Sequence, residues 1–150
     1  MYLTNSPEET EAVGERLAAA LQPGSVVALY GGLGAGKTCF TRGLARGLAV
    51  TDAVTSPTYT IVNTYRGTLS GIGPTDIHHI DAYRLRDADD FVNIGGEELL
   101  AGDGVCIVEW PERIARCLPE DAIPVAIGLK AGDKREIRIA GDTAGYDDCG

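Results

Sequence analysis

A chain of 150 residues, 44% of them hydrophobic, is long enough for one domain with a substantial core and falls outside the disordered class. Its formal net charge of -9, from 22 acidic and 13 basic residues, argues against a surface made to grip a nucleic-acid backbone, so no DNA partner is expected. No apolar run approaches the roughly 18 residues of a membrane span and no secretory leader is read, so the chain is expected to be cytoplasmic, with no membrane partner.

The first element has clear start signals. Ser6-Pro7-Glu8-Glu9 offers a serine cap, proline at the first helical position and a glutamate three residues after the cap. Val13, Leu17, Ala20 and Leu21 then mark the inward face of a helix that Gln22-Pro23-Gly24 ends. Thr10, in the first turn, is either a contact near the base of a nucleotide or an exposed threonine.

Val26 to Tyr30 reads as a buried strand and leads into Gly31-Gly32-Leu33-Gly34-Ala35-Gly36-Lys37-Thr38, which fits G-x-x-x-x-G-K-[ST]. Phe40, Leu44 and Leu48 recur at helical spacing behind it, so the motif has its strand–turn–helix context. The glycines let several backbone N–H groups converge on one point, and the helix beginning near Lys37 adds the positive end of its dipole. Lys37 then reaches the β- and γ-phosphates of a nucleoside triphosphate, and the Thr38 hydroxyl is placed for magnesium. Gly43 and Gly47 each weaken the helix by roughly 1 kcal/mol against alanine. Gly47 marks its end, and Gly43 is read as allowing close packing on the sheet.

Thr55-Ser56-Pro57-Thr58 is a loop that could serve as a nucleotide-sensing switch or as a plain connection. Tyr59–Tyr65 and Ile77–Ile80 read as strands of a hairpin joined by a loop from Arg66 through Thr75, and Asp81 ends the second. Short helices follow at Asp87–Ile94 and Glu97–Leu100. Val105 to Val108 is a strong strand ending in Glu109-Trp110-Pro111, Glu112–Leu118 a helix stopped by Pro119, and Val125–Leu129 and Glu136–Ala140 two closing strands. The expected fold is a single-domain α/β structure, P-loop NTPase-like. Its mostly parallel central sheet is flanked by helices and carries an antiparallel hairpin, the whole spanning residues 1–141 before a polar, acidic, frayed tail at 142–150.

A second acidic group is needed for magnesium. Glu109 follows the better buried strand and is preferred as nearest the metal, with Asp81 a metal-water contact or a guide for the attacking water. Cys39 and Cys106 are read as reduced, buried small residues. The guanine-reading N-K-x-D sequence is absent. An ATPase is therefore favoured over a GTPase, with a small-molecule kinase or a nucleotide-sensing adaptor as alternatives.

Four stretches resemble the TsaE (YjeE) family: Leu29 to Thr38 with Thr41-Arg42-Gly43, Thr55 to Asn63, His79-Ile80-Asp81-Ala82-Tyr83-Arg84-Leu85, and Glu109-Trp110-Pro111-Glu112. The resemblance implies an ATPase of bacterial tRNA threonylcarbamoyladenosine synthesis that binds and resets the TsaD–TsaB complex, meeting tRNA mainly through it. It implies ATP phosphates on Gly31, Gly32, Leu33, Gly34, Ala35, Gly36, Lys37, Thr38 and Cys39, with Thr10 and Arg135 near the nucleotide. Magnesium would lie on Thr38, Glu109 and Asp81, and Lys37, Asp81 and Glu109 would carry the catalysis. Thr55, Ser56 and Thr58 would form a switch-like loop, and Trp110 would stand beside the site. Thr64 stands where the family commonly has an acid, and Cys39 where it has Thr or Ser.

Overall fold

The computed structural model describes residues 1–32, 34–51 and 61–139. Leu33, the Thr55–Thr58 stretch and the tail therefore lie outside the described residues. Seven strands form one mixed sheet in the order β1-β7-β6-β2-β5-β4-β3: β1 is Tyr2–Thr4, β2 Val26–Tyr30, β3 Val62–Leu69, β4 Gly73–Asp81, β5 Val105–Glu109, β6 Ile123–Leu129 and β7 Arg135–Ile139. The four central strands β6, β2, β5 and β4 run parallel, and β1, β7 and β3 join the flanks antiparallel. After β2 the chain crosses to one side of the sheet, and after β5 it returns to the other. The carboxyl end of β2 is thus a topological switch point, where open α/β sheets form their binding crevice.

The strands alternate between two apolar layers. Val27, Leu29, Ile107, Val125 and Ile127 face α1 (Pro7–Ala18) and α2 (Lys37–Gly47), whose Val13, Phe40 and Leu44 close that layer with Leu48. Val26, Ile80, Cys106 and Val108 face α3 (Ala88–Asn93), α4 (Gly96–Ala101) and a 3-10 segment, Pro111–Cys117, through Phe91, Leu100 and Ile114. Phe40, Leu44 and Leu48 have no solvent exposure. Burying each contributes about 1.5–3 kcal/mol, which anchors α2, and the loop ahead of it, on the sheet.

Helix α1 starts as expected, with the Ser6 hydroxyl accepting from Glu9 N–H at 3.2 Å. The Glu9 carboxylate accepts from the N–H of Asn5, one residue before the cap. Its inner face differs from the sequence reading. Gly14 and Ala18 are buried, whereas Ala20 lies past the helix end and is exposed. The reason is α2, which crosses α1 at backbone contact: a Cβ on Gly43 would stand 1.9 Å from the Glu11 carbonyl oxygen, and one on Gly14 2.4 Å from that of Phe40. Gly43 therefore packs on α1 and not on the sheet.

The hairpin is longer and its turn tighter than the sequence suggested. β3 continues through Arg66 to Leu69 and β4 begins at Gly73, so residues 70–72 alone turn the chain. Arg66 pairs with Asp76 directly across the ladder at 2.8 Å. Pro74 is tolerated because β4 meets β5 only from Ile77 onward, so no ladder bond is lost on that side. Strand β1 was not anticipated; three residues carry too little pattern to read. Where a helix was expected over Glu112–Leu118, Pro111–Cys117 forms 3-10 turns that break at Ile114 (φ -127°).

Candidate active site

The site is built where three parallel strands end. Register places Glu109 beside Leu29 on one side and Asp81 on the other, so both acids stand at the level where β2 gives way to the glycine loop. Both share the face of the sheet that α2 covers, because Leu29 belongs to that layer. A cavity of about 470 Å³ opens there between Gly34–Cys39 and the group Asp81, Tyr83, Glu109 and Trp110, with Arg135 reaching in from β7.

Loop geometry follows from residue type. Gly34 (φ 76°) and Gly36 (φ 107°) occupy the left-handed region, where a side chain would be strained. Gly36 caps α2 without a side chain, in contrast to Ser6 on α1, so the first turn of α2 presents backbone N–H groups to the cavity. Arg135 braces the loop: its Nε donates to the Ala35 carbonyl at 3.0 Å and a terminal nitrogen to that of Gly34 at 3.3 Å. With those carbonyls engaged by Arg135, the N–H groups of the loop are left for an anion. Gly31 and Gly32 sit at the exit of β2 and do not line this cavity.

Lys37 is buried, and its Nζ has no hydrogen-bond partner among the described residues. The ammonium lies 3.7 Å from the centre of the Trp110 ring, a cation–π contact. Burial holds its pKa below the usual lysine range, against the opposing pull of Glu109, Glu112 and Asp81. Trp110 is turned over the cavity by left-handed backbone (φ 58°, ψ 49°), unusual for an aromatic residue. It packs at 52° on Tyr83, centroids 5.0 Å apart, and the Arg113 guanidinium lies 5.4 Å from the Tyr83 ring. A buried cation with no hydrogen-bonded anion among the described residues, beside uncapped helix N–H groups, is a site prepared for phosphate.

Glu109 is nearly buried, and its Oε2 meets His79 Nε2 at 2.5 Å. Asp81 is half-buried, and its Oδ1 accepts from the Tyr83 N–H at 3.0 Å. Thr38 and Cys39 line the same cavity. Burial drives the Cys106 thiol up to about 12, which leaves it protonated and inert. Thr10 is not at the cavity. It is buried, against the alternative of an exposed threonine, with its hydroxyl 2.8 Å from that of Thr4. His79 and Tyr83 belong to the stretch that carries the family resemblance but were given no role from sequence. The available signal for His79 was its place two residues before Asp81, which puts both on one face of β4.

Magnesium–nucleotide chemistry fits these donors. The oxygens of Thr38, Asp81 and Glu109 are hard ligands, and Lys37 and the loop N–H groups match phosphate charge. Among the described residues no three His, Cys, Asp or Glu side chains form a closed metal cage. Magnesium on a nucleotide does not require one, since phosphates and water complete its shell.

A family model described as "Threonylcarbamoyl adenosine biosynthesis protein TsaE" matches residues 4–137. The chain belongs to the TsaE family. It is similar to the TsaE of Treponema pallidum (strain Nichols), 41% identical over 138 residues that cover 92% of this chain and 98% of the relative. The TsaE of Bacillus subtilis (strain 168) is 42% identical over 136 residues, 91% and 82% of the two chains. The crystal structure of YdiB from Bacillus subtilis superposes with a TM-score of 0.71 at 38% identity, covering 91% of this chain and 80% of that one. TsaE proteins are P-loop ATPases, so this member of the TsaE family is an ATP hydrolase, and family membership implies the use of ATP with magnesium. Among its described residues no helix is long and apolar enough to cross a membrane.

Proposed function

We propose that this TsaE-family chain hydrolyses magnesium–ATP in the 470 Å³ cavity and uses the turnover to reset a TsaD–TsaB complex between rounds of threonylcarbamoylation of tRNA adenosine. The observation that carries the ATP site is the buried Lys37 ammonium, without a hydrogen-bond partner among the described residues and set against the Trp110 ring, at the uncapped start of α2. Lys37 binds the β- and γ-phosphates, and the N–H groups from Gly34 to Cys39 cradle them. Thr38 and Glu109 would hold magnesium, which when bound neutralises charge developing on the phosphate oxygens. Asp81, anchored through the Tyr83 N–H, orients the attacking water. Arg135 keeps the cradle in shape through the Ala35 carbonyl, and Trp110 closes the cavity over Lys37. The Thr55, Ser56 and Thr58 segment is a switch that responds to the γ-phosphate, and tRNA is met mainly through the complex.

Asp81→Asn separates binding from chemistry. ATP affinity is expected within a few-fold of the parent, while hydrolysis in the presence of TsaD–TsaB falls by roughly 10²-fold or more, the scale of a lost proton-handling or water-orienting group. Equal losses in both would make Asp81 a structural residue. For the role, the purified chain is expected to co-elute with TsaD–TsaB in a nucleotide-dependent way and to raise the number of tRNA molecules modified per complex. No association under any nucleotide condition, or no effect on repeated modification, would overturn it.

A further inference from the structure

His79 is the most deeply buried titratable side chain beside the cavity, and nothing in the proposed chemistry uses it. Its side chain is 1% exposed and that of Glu109 6%, and the two meet at 2.5 Å through Nε2 and Oε2. The other ring nitrogen, Nδ1, is buried with no hydrogen-bond partner among the described residues. An imidazole kept for packing alone would satisfy both nitrogens or give way to an aliphatic residue. Here one nitrogen is left unpartnered, and the other is spent on a carboxylate that lines the cavity.

We propose that His79 is the positioning residue for Glu109: its Nε2–H donates to Oε2, fixes the carboxylate's rotamer, and leaves Oε1 aimed at whatever occupies the cavity. Glutamate has three rotatable bonds, and a ligand that must order it loses affinity in doing so. The bond from His79 removes that loss before the ligand arrives, as outer partners do for metal-binding side chains elsewhere. Backbone position supports the assignment. Asp81 and Glu109 are register neighbours, and His79 lies two residues back on the same face of β4, beside Ile107. The imidazole therefore meets Glu109 inside the buried layer, where water does not compete, while Glu109 also lines the cavity. His79 itself touches neither nucleotide nor metal. The inference rests on reading the cavity as a magnesium–nucleotide site.

The test is equilibrium binding of a fluorescent ATP analogue to the full chain, titrated with magnesium and repeated in EDTA. In His79→Asn the amide is too short to reach Oε2, and the magnesium midpoint is expected to rise about 10-fold or more, with binding in EDTA unchanged. In His79→Gln the amide N–H reaches the place of Nε2, and the midpoint is expected to stay within about threefold of the parent. A parental midpoint in folded His79→Asn overturns the proposal, as does a loss of binding that is equal with magnesium and in EDTA. If His79→Asn does not fold, His79→Gln decides: a near-parental midpoint supports the proposal, and a tenfold rise with the donor retained overturns it. A parent chain whose nucleotide binding ignores magnesium would instead sink the reading of the cavity, and the proposal with it.

Discussion

Lys37→Met is expected to abolish ATP hydrolysis while leaving the nucleotide-free protein as stable as before, or more so. The ammonium is buried without a hydrogen bond among the described residues. An unsatisfied buried polar group costs about 1–3 kcal/mol, more when charged. The Trp110 ring, 3.7 Å away, returns roughly 0.5–2 kcal/mol of that. Methionine keeps the apolar stem against its neighbours and removes a charge whose desolvation outweighs its attraction to Glu109, Glu112 and Asp81. Thermal unfolding without nucleotide should therefore occur at the parental temperature or a few degrees higher, since 1 kcal/mol moves the midpoint of a domain this size by about 2–4 °C. With magnesium–ATP the order reverses. Losing a charge-assisted contact worth about 1.5–3 kcal/mol should weaken ATP binding by roughly 10- to 150-fold and remove most of the ligand-induced stabilisation. Differential scanning fluorimetry with and without magnesium–ATP, beside a phosphate-release assay, checks both halves. Near-parental hydrolysis would dismiss Lys37 from the mechanism. A nucleotide-free midpoint several degrees lower would show that the ammonium is held for structure.

Gly43→Ala should be among the most damaging single-methyl additions in the chain. On propensity alone it would stabilise α2 by about 1 kcal/mol. The added Cβ would, however, stand 1.9 Å from the Glu11 carbonyl oxygen and 2.7 Å from its carbon, both backbone atoms of α1 that no rotamer change can move. Relief requires α1 to retreat from α2, since α2 is pinned to the sheet by Phe40, Leu44 and Leu48. Overpacking of this kind costs about 1–3 kcal/mol and occasionally more, and here it opens a whole helix contact. A net loss of at least about 2 kcal/mol is expected, read as a fall of roughly 4–8 °C in the unfolding midpoint. Gly128→Ala is the control. Nothing lies within 4 Å of its Cβ, so its midpoint should stay near the parental one. Equal midpoints for the two variants would mean that the helices have room to separate at little cost.

The same residue shows why part of the fold was hidden from sequence. Gly43 reads as a weak point in a helix whichever surface it serves; that the surface is the backbone of α1 depends on how two helices cross. The extent of the hairpin was obscured for a related reason. β3 is an edge strand, so Arg66 and Thr68 remain in it while exposed, and a polar glycine-containing stretch looks the same in an edge strand as in a loop. Strong apolar runs bounded by turn residues, Val26–Tyr30 to the residue and Val105–Glu109 to within one, were legible because full burial leaves a continuous hydrophobic signature. Asp81 was legible as a strand end.

By itself the sequence determined what is local: the glycines that permit left-handed torsions at Gly34 and Gly36, the lysine and threonine at the start of α2, and an acid closing each of two strands. These follow from torsional limits and periodicity within a few adjoining residues. Tertiary structure alone decided that Asp81 and Glu109 stand level beside the loop, that Arg135 grips the loop from 100 residues away, that Lys37 rests on Trp110, and that His79 holds Glu109. Each of these is a meeting of distant segments. Strand register and helix packing set such meetings, and both are settled by the burial of the whole core.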